Sequence, residues 1–393
     1  MKKSIILSVI LSSLVFNTSF LNASDNLTFE LDLDTIEQQI LKEYDDKEME
    51  EENIESSNLT DDELKAKFNV ILPEIIKNRN EYVLNENYDK LETLYDTEIK
   101  VSRYAFEHES IKTKYLKNWA KKQGVTFNNI FSDIKIRKVR DRSDGLYGMT
   151  CNICTTYSYS YNNEPDKINT FSLGTSHYIN LQAKGNNEYK IVKEWYTDPF
   201  SDSLEMKSKE PLEHTQFLEF QKPPEFIPNE TLQKAIEYAH AYCGIGEGEN
   251  MFKYNKNYMD CNPLGGDCAN FASQIMYESG AFKKNKIWNY THEGTKTWVN
   301  AQELSRYLLN SGRGNQIARG SYEKVYKAAF KMRPGDIVAY EKNDRITHVS
   351  TVTALDSKGY PLVTCHNTDR LMVPYDLGWS NSNITFYLID VHY

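Results

Sequence analysis

Apolar and polar positions fall into successive patterns along this chain. From Thr60 to about Gln123, Leu, Ile, Tyr and Val are interspersed with Lys and Glu in helical fashion. Thr60 followed by Asp61, Asp62 and Glu63 is a helix start, because such side chains can take up free backbone N–H groups. The helical character ends near Gly124. The period then shortens. Ile134-Lys135-Ile136-Arg137 alternates, and Met149 to Tyr161 and Ser176 to Leu181 are rich in Tyr, Thr and Ile. Lys184-Gly185-Asn186-Asn187 is a hairpin signal that leads into Tyr189-Lys190-Ile191-Val192. Residues 61–200 therefore read as an α+β unit, helices first and then a curved antiparallel sheet.

Residues 201–230 carry Pro211, Pro223, Pro224 and Pro228 and read as a linker. Asn229 or Thr231 can cap the next helix, which carries Leu232, Ala235, Ile236 and Ala239. Further on, Cys268, Phe271, Ala272, Ile275 and Met276 fall on one face of a helix. Gly265-Gly266 makes the turn before it, Asp267 is the expected N-cap, and Gly280 ends it. Arg333-Pro334-Gly335-Asp336 is a tight turn into a strand, Ile337 to Tyr340. After a polar turn, Thr347 to Val352 is a second strand. Asp356 to Gly359 is a turn, and Tyr360 to Cys365 returns.

The chain has 393 residues and a formal net charge of -10, which disfavours nucleic acid as a partner. Residues 1–23 read as a signal peptide: Lys2 and Lys3, an apolar stretch from Ile5 to Phe16, and Leu21-Asn22-Ala23 at the cleavage point. That stretch is too short for a stable membrane span. The expectation is a secreted protein, free or held on a surface without a covalent anchor. Residues 24–60, with the acidic run Glu43 to Glu55, read as a linker or loose helix. The chain has six cysteines, too few for a disulfide scaffold. Cys151 and Cys154 read as a disulfide or two inert thiols rather than half a zinc site, and Cys243 and Cys261 can pair.

Cys268 sits in the first turn of its helix, where free N–H groups and the positive helix end favour a thiolate and can serve an oxyanion. His348 opens an otherwise apolar or β-branched strand and is the candidate base. A third group should orient the imidazole. A four-residue turn before Tyr360 sets Asn367 opposite His348, and a five-residue turn sets His366 there. Asp336 and Asp369 are outside choices. Asn262 is a candidate oxyanion donor, Asp267 and Gln274 are candidates for the cleft, and Trp288, Trp298 and Trp379 for its walls. The glycines at 312, 314 and 320 lack the Lys-Ser/Thr ending of a phosphate loop. No metal or cofactor is needed for this chemistry.

At these residues the chain resembles the Putative amidase domain family, a branch of the papain-like cysteine hydrolases related to the NlpC and CHAP cell-wall enzymes. The resemblance runs through Tyr254-Asn255 and Tyr258, Gly265 to Gln274, Trp298, Pro334-Gly335-Asp336, His348-Val349 and His366-Asn367-Thr368-Asp369. It covers residues 231–393. Cys365 departs from it, standing where such proteins often have a polar residue. The resemblance implies a papain-like domain that hydrolyses an amide in an extracellular peptide or cell-wall peptide. Residues Ser176 to Asp198 more loosely resemble the closing hairpin of nuclear-transport-factor-like domains. Two rival classes share these residues: a catalytically silent binding or structural protein on the same shell, and a thiol-dependent transpeptidase or acyltransferase.

Overall fold

The computed structural model describes residues 59–185, 187–200, 203–204, 212–379 and 383–393. The signal peptide and most of the acidic segment expected from the sequence lie outside them. Among the described residues, no helix is long and apolar enough to cross a membrane.

Three helices open the described chain: α1 (Asp61–Leu84), α2 (Tyr88–Thr93) and α3 (Lys100–Gln123). Thr60 caps α1 reciprocally with Glu63: the Glu63 N–H donates to the Thr60 hydroxyl, and the Thr60 N–H to the Glu63 carboxylate. Pro73 lies inside α1 without ending it. Helix α3 stops at Gly124, whose φ of 67° is the left-handed conformation that glycine adopts most cheaply.

Four long strands follow: β1 (Val125–Asp141), β2 (Leu146–Tyr161), β3 (Glu164–Gly185) and β4 (Glu188–Tyr196). Then come α4 (Leu212–Glu219), α5 (Glu230–Tyr242), α6 (Cys268–Glu278), α7 (Lys296–Val299) and α8 (Ala301–Asn310). The chain closes with β5 (Gly314–Gly320), α9 (Tyr322–Ala329), β6 (Ile337–Lys342), β7 (Arg345–Leu355), β8 (Pro361–Cys365), β9 (Asp369–Pro374) and β10 (Thr385–Val391).

All ten strands form one antiparallel sheet, in the order β1-β2-β3-β9-β8-β7-β6-β10-β5, with β4 also on β3. The join is made by β3. Its edge pairs with β4 from Gly185 to His177 and then with β9 from Gly174 to Ser172. The two halves that the Pro-rich stretch separates in sequence thus share a sheet.

Both faces of the C-terminal strands are covered, so these strands are apolar on both sides. On one face Ile337, Ala339, Val349 and Ile389 cluster with Cys268, Ala272 and Leu304. On the other, Val338, Tyr340, Val352 and Phe386 cluster with Val325 of α9 and Tyr375. Helix α5 packs on α6 through Ala235, Phe271 and Ile275.

Candidate functional site

The stretch Gly265 to Gln274 folds as a turn and a helix start in which each polar side chain ties down a neighbouring segment. Gly266 has a φ of 132°, and a Cβ there would lie 2.3 Å from the Asn367 amide nitrogen, so only glycine fits. Asp267 occupies the N-cap position, but its side chain accepts no backbone N–H from the helix. It accepts instead from the Cys261 N–H at 2.9 Å, the Asn270 amide at 2.7 Å and His366 Nδ1 at 2.5 Å. Asn270 also donates to the Met259 carbonyl and accepts from Trp298 Nε1. Ser273 donates to the Trp298 carbonyl and accepts from Trp288 Nε1. Gln274 accepts from Tyr238, joining α6 to α5.

Cys268 is the first residue of α6, with 6% of its surface exposed. Burial pushes its thiol up to about 12. The backbone N–H groups of Val349 and Ala269 act in the opposite direction and are outweighed. The resting group is therefore a thiol, and the thiolate expected from the helix end alone is not favoured in this closed surrounding.

His348 pairs with Tyr340 across β6 and β7 and shares its face of the sheet. Its ring stacks on Trp379 with centroids 5.0 Å apart and lies 5.5 Å from Tyr340. Its Nε2 is 3.3 Å from Cys365 Sγ and 3.2 Å from Ser350 Oγ. Burial, with the Arg370 guanidinium, pushes the imidazole down to about 3, so it is neutral. Among the described residues no hydrogen bond joins His348 to Cys268. Strand alternation explains this: Val349 faces the cluster around Cys268, so its neighbour His348 faces the other side. A bulge at Thr347 sets that phase, since Ile346 pairs with Glu341 and His348 with Tyr340.

Neither His366 nor Asn367 orients His348. Leu355 pairs with Pro361 around a five-residue turn, and a bulge at Thr353 brings Thr351 opposite Thr364. Strand β8 then ends at Cys365, and the chain turns away through Asn367 and Thr368, both with positive φ. Cys365, one residue earlier, is the group that reaches the ring. Its strand position and its departure from the family pattern were the only signals for it. His366 faces α6 instead, stacked on Phe271 at 3.7 Å, with Nε2 on the Tyr242 carbonyl at 2.8 Å and Nδ1 on Asp267. Burial works against its charge, but Asp267, Asp369 and the Tyr242 carbonyl outweigh burial and raise it. Both ring nitrogens face oxygen acceptors, which suits the cation. The Asn367 side-chain oxygen accepts the Asp267 N–H.

The remaining candidates lie elsewhere. Asn262 sits in a short 3₁₀ turn, where its carbonyl accepts the Gly265 N–H. Trp298 is fully buried and stacks on Trp288 with centroids 4.6 Å apart, so both are core rather than cleft walls. Asp336 binds the N–H groups of Arg333 and Val391. Asp369 accepts from Tyr254 and is pushed up to about 7, chiefly by burial. All six cysteines are free and buried, so neither Cys151 with Cys154 nor Cys243 with Cys261 is paired. Among the described residues, no group of three His, Cys, Asp or Glu side chains is placed to hold a metal ion.

Residues 229–389 match the protein family described as "Putative amidase domain". The chain has no match among curated proteins or solved structures.

Proposed function

We propose that the matched segment is a thiol-dependent amidohydrolase with Cys268 as nucleophile and His348 as base, on a papain-like plan. One observation carries the reading. Within the amidase match, Cys268 heads a helix and is packed in one buried cluster with Val349, the residue next to His348. The Cys268 proton passes to the imidazole as sulfur attacks the amide carbonyl. The imidazolium then protonates the leaving amine, and water drawn through the same ring releases the acid. The Cys268 N–H serves the oxyanion on this reading. On this reading the working state needs the start of β7 to shift at the Thr347 bulge, so that His348 meets the sulfur. Export would make the substrate an extracellular peptide or a cell-wall stem peptide.

The test is amine release from a panel of peptide and muropeptide amides by the full chain and by Cys268→Ala. Activity lost in the variant, and blocked by alkylation of Cys268, supports the reading. A second reading, a silent binding shell, is favoured by the burial of Cys268 and the engagement of His348 with Cys365. A wild-type chain with no amidase activity and an inert Cys268 would establish that reading instead.

A further inference from the structure

The turn after β9 has two backbone bonds of its own, the Leu377 N–H to the Pro374 carbonyl and the Trp379 N–H to the Asp376 carbonyl, and is further held by other segments of the chain. Asp376, with no exposed surface, accepts from Lys122 Nζ at 2.7 Å, Tyr360 at 2.8 Å and Trp119 Nε1 at 3.1 Å. The Gly378 N–H donates to the Tyr115 hydroxyl at 2.8 Å. Arg370 donates to the Leu377 carbonyl at 2.8 Å and to the Pro199 carbonyl at 2.7 Å. A Cβ on Gly378 would lie 2.5 Å from that Pro199 oxygen, so the turn fits closely. Tyr115, Trp119 and Lys122 stand three or four residues apart along α3, so they lie on one side of it, Tyr115 and Trp119 buried and Lys122 half-buried. The next residue of the turn is Trp379. Its indole stacks on Tyr340 at 4.4 Å and on His348 at 5.0 Å.

We propose that α3 is a clamp on the 376–379 turn, and that through it Trp379 positions His348 in its resting place, on the sheet face away from Cys268, which the working state has to leave. The proposal rests on His348 as the base. It gives the N-terminal half a role in fixing how deeply the ring is sheltered. A buried carboxylate with several fixed donors has few alternative positions, so the turn and its indole are held in one. The other groups facing the ring are Tyr340 of β6, Ser350 of β7, Cys365 of β8 and Arg370 of β9. Among these, Arg370 carries the charge. Trp379 covers the ring and touches neither the sulfur nor Cys365 through a hydrogen bond.

The test uses the full chain with ¹³C-labelled histidine, the His348 signal being assigned with a His348→Gln sample. Ring titration is followed by NMR, and the pH–rate profile alongside it. Trp379→Ala uncovers the ring, and Trp119→Phe with Lys122→Met removes two donors to Asp376 while keeping the aromatic packing. Each should raise the His348 midpoint by about one pH unit or more, because hydration favours the charged form. The acid limb of any activity should move with it. Trp379→Phe should leave both in place. A midpoint unmoved in folded Trp119→Phe/Lys122→Met protein would overturn the clamp. Lys122→Met alone touches only the partly exposed end of the cluster and decides the point if the double variant does not fold. A shifted midpoint without hydrolysis by any variant would keep the clamp and discard the amidase reading. Hydrolysis with an unmoved midpoint would do the reverse.

Discussion

His348 and Cys365 meet across β7 and β8, ring nitrogen to sulfur at 3.3 Å, on the face of the sheet turned away from the Cys268 cluster. Replacing Cys365 by Ala should therefore cost about 1–2 kcal/mol, from one lost contact and a small cavity. Cys365→Ser keeps a polar partner for the ring and should cost less. Urea unfolding of the two variants checks the order.

Cys268 should behave as a closed thiol in the resting protein. With its value near 12, alkylation by iodoacetamide should be slow at pH 8 and rise about tenfold per pH unit toward that value. If the proposed amidase function holds, Cys268→Ala should lower amide hydrolysis by at least about 10³-fold while leaving the fold intact. Mass spectrometry of the labelled chain and a steady-state assay give the two readouts. A thiol that reacts fully at pH 7 would contradict the closed arrangement.

The Asp267–His366 pair fixes the start of α6, and its pH dependence has a definite sign. The folded value of His366 is raised above its ordinary 6.5. The stability it contributes is complete below about 6.5 and is lost as pH rises through the folded value. Melting curves across that range should fall more for the wild type than for His366→Phe. Asp267→Ala should cost about 3 kcal/mol or more, since it strands a buried cation and unties Cys261 and Asn270.

A second buried network lies in the N-terminal half. Arg79 binds both Glu194 oxygens at 2.8 and 2.9 Å, and His177 reaches the same carboxylate at 2.9 Å. Arg79→Leu should cost about 3–5 kcal/mol, because Glu194 is left charged and buried. Nearby, burial alone would raise Glu109, but Lys112 and Arg79 outweigh it and hold the carboxyl down at about 2. That stability is present above the ordinary 4.5 and is lost as pH falls through about 2. Acid titration of Glu109→Gln should show a shallower loss than the wild type.

Much of the fold was legible because its signals are local. Thr60 and Glu63 lie within one turn, Gly124 ends a helix by its own backbone freedom, and the apolar face from Cys268 to Met276 follows from helical spacing. The cysteine at a helix start and the histidine on a strand were likewise written in the chain. The partners of those residues were not. Which face His348 takes depends on a bulge at Thr347, and which residue reaches it on a bulge at Thr353 and the end of β8 at Cys365. One step of register turns a side chain to the other side of a sheet, and the step is set by packing on both faces. The joining of the halves through β3 and β9, and the hold of α3 on Asp376, connect positions hundreds of residues apart. Spacing along a chain carries short-range geometry. Contacts over that separation exist only once the whole core has closed, so tertiary structure alone decided them.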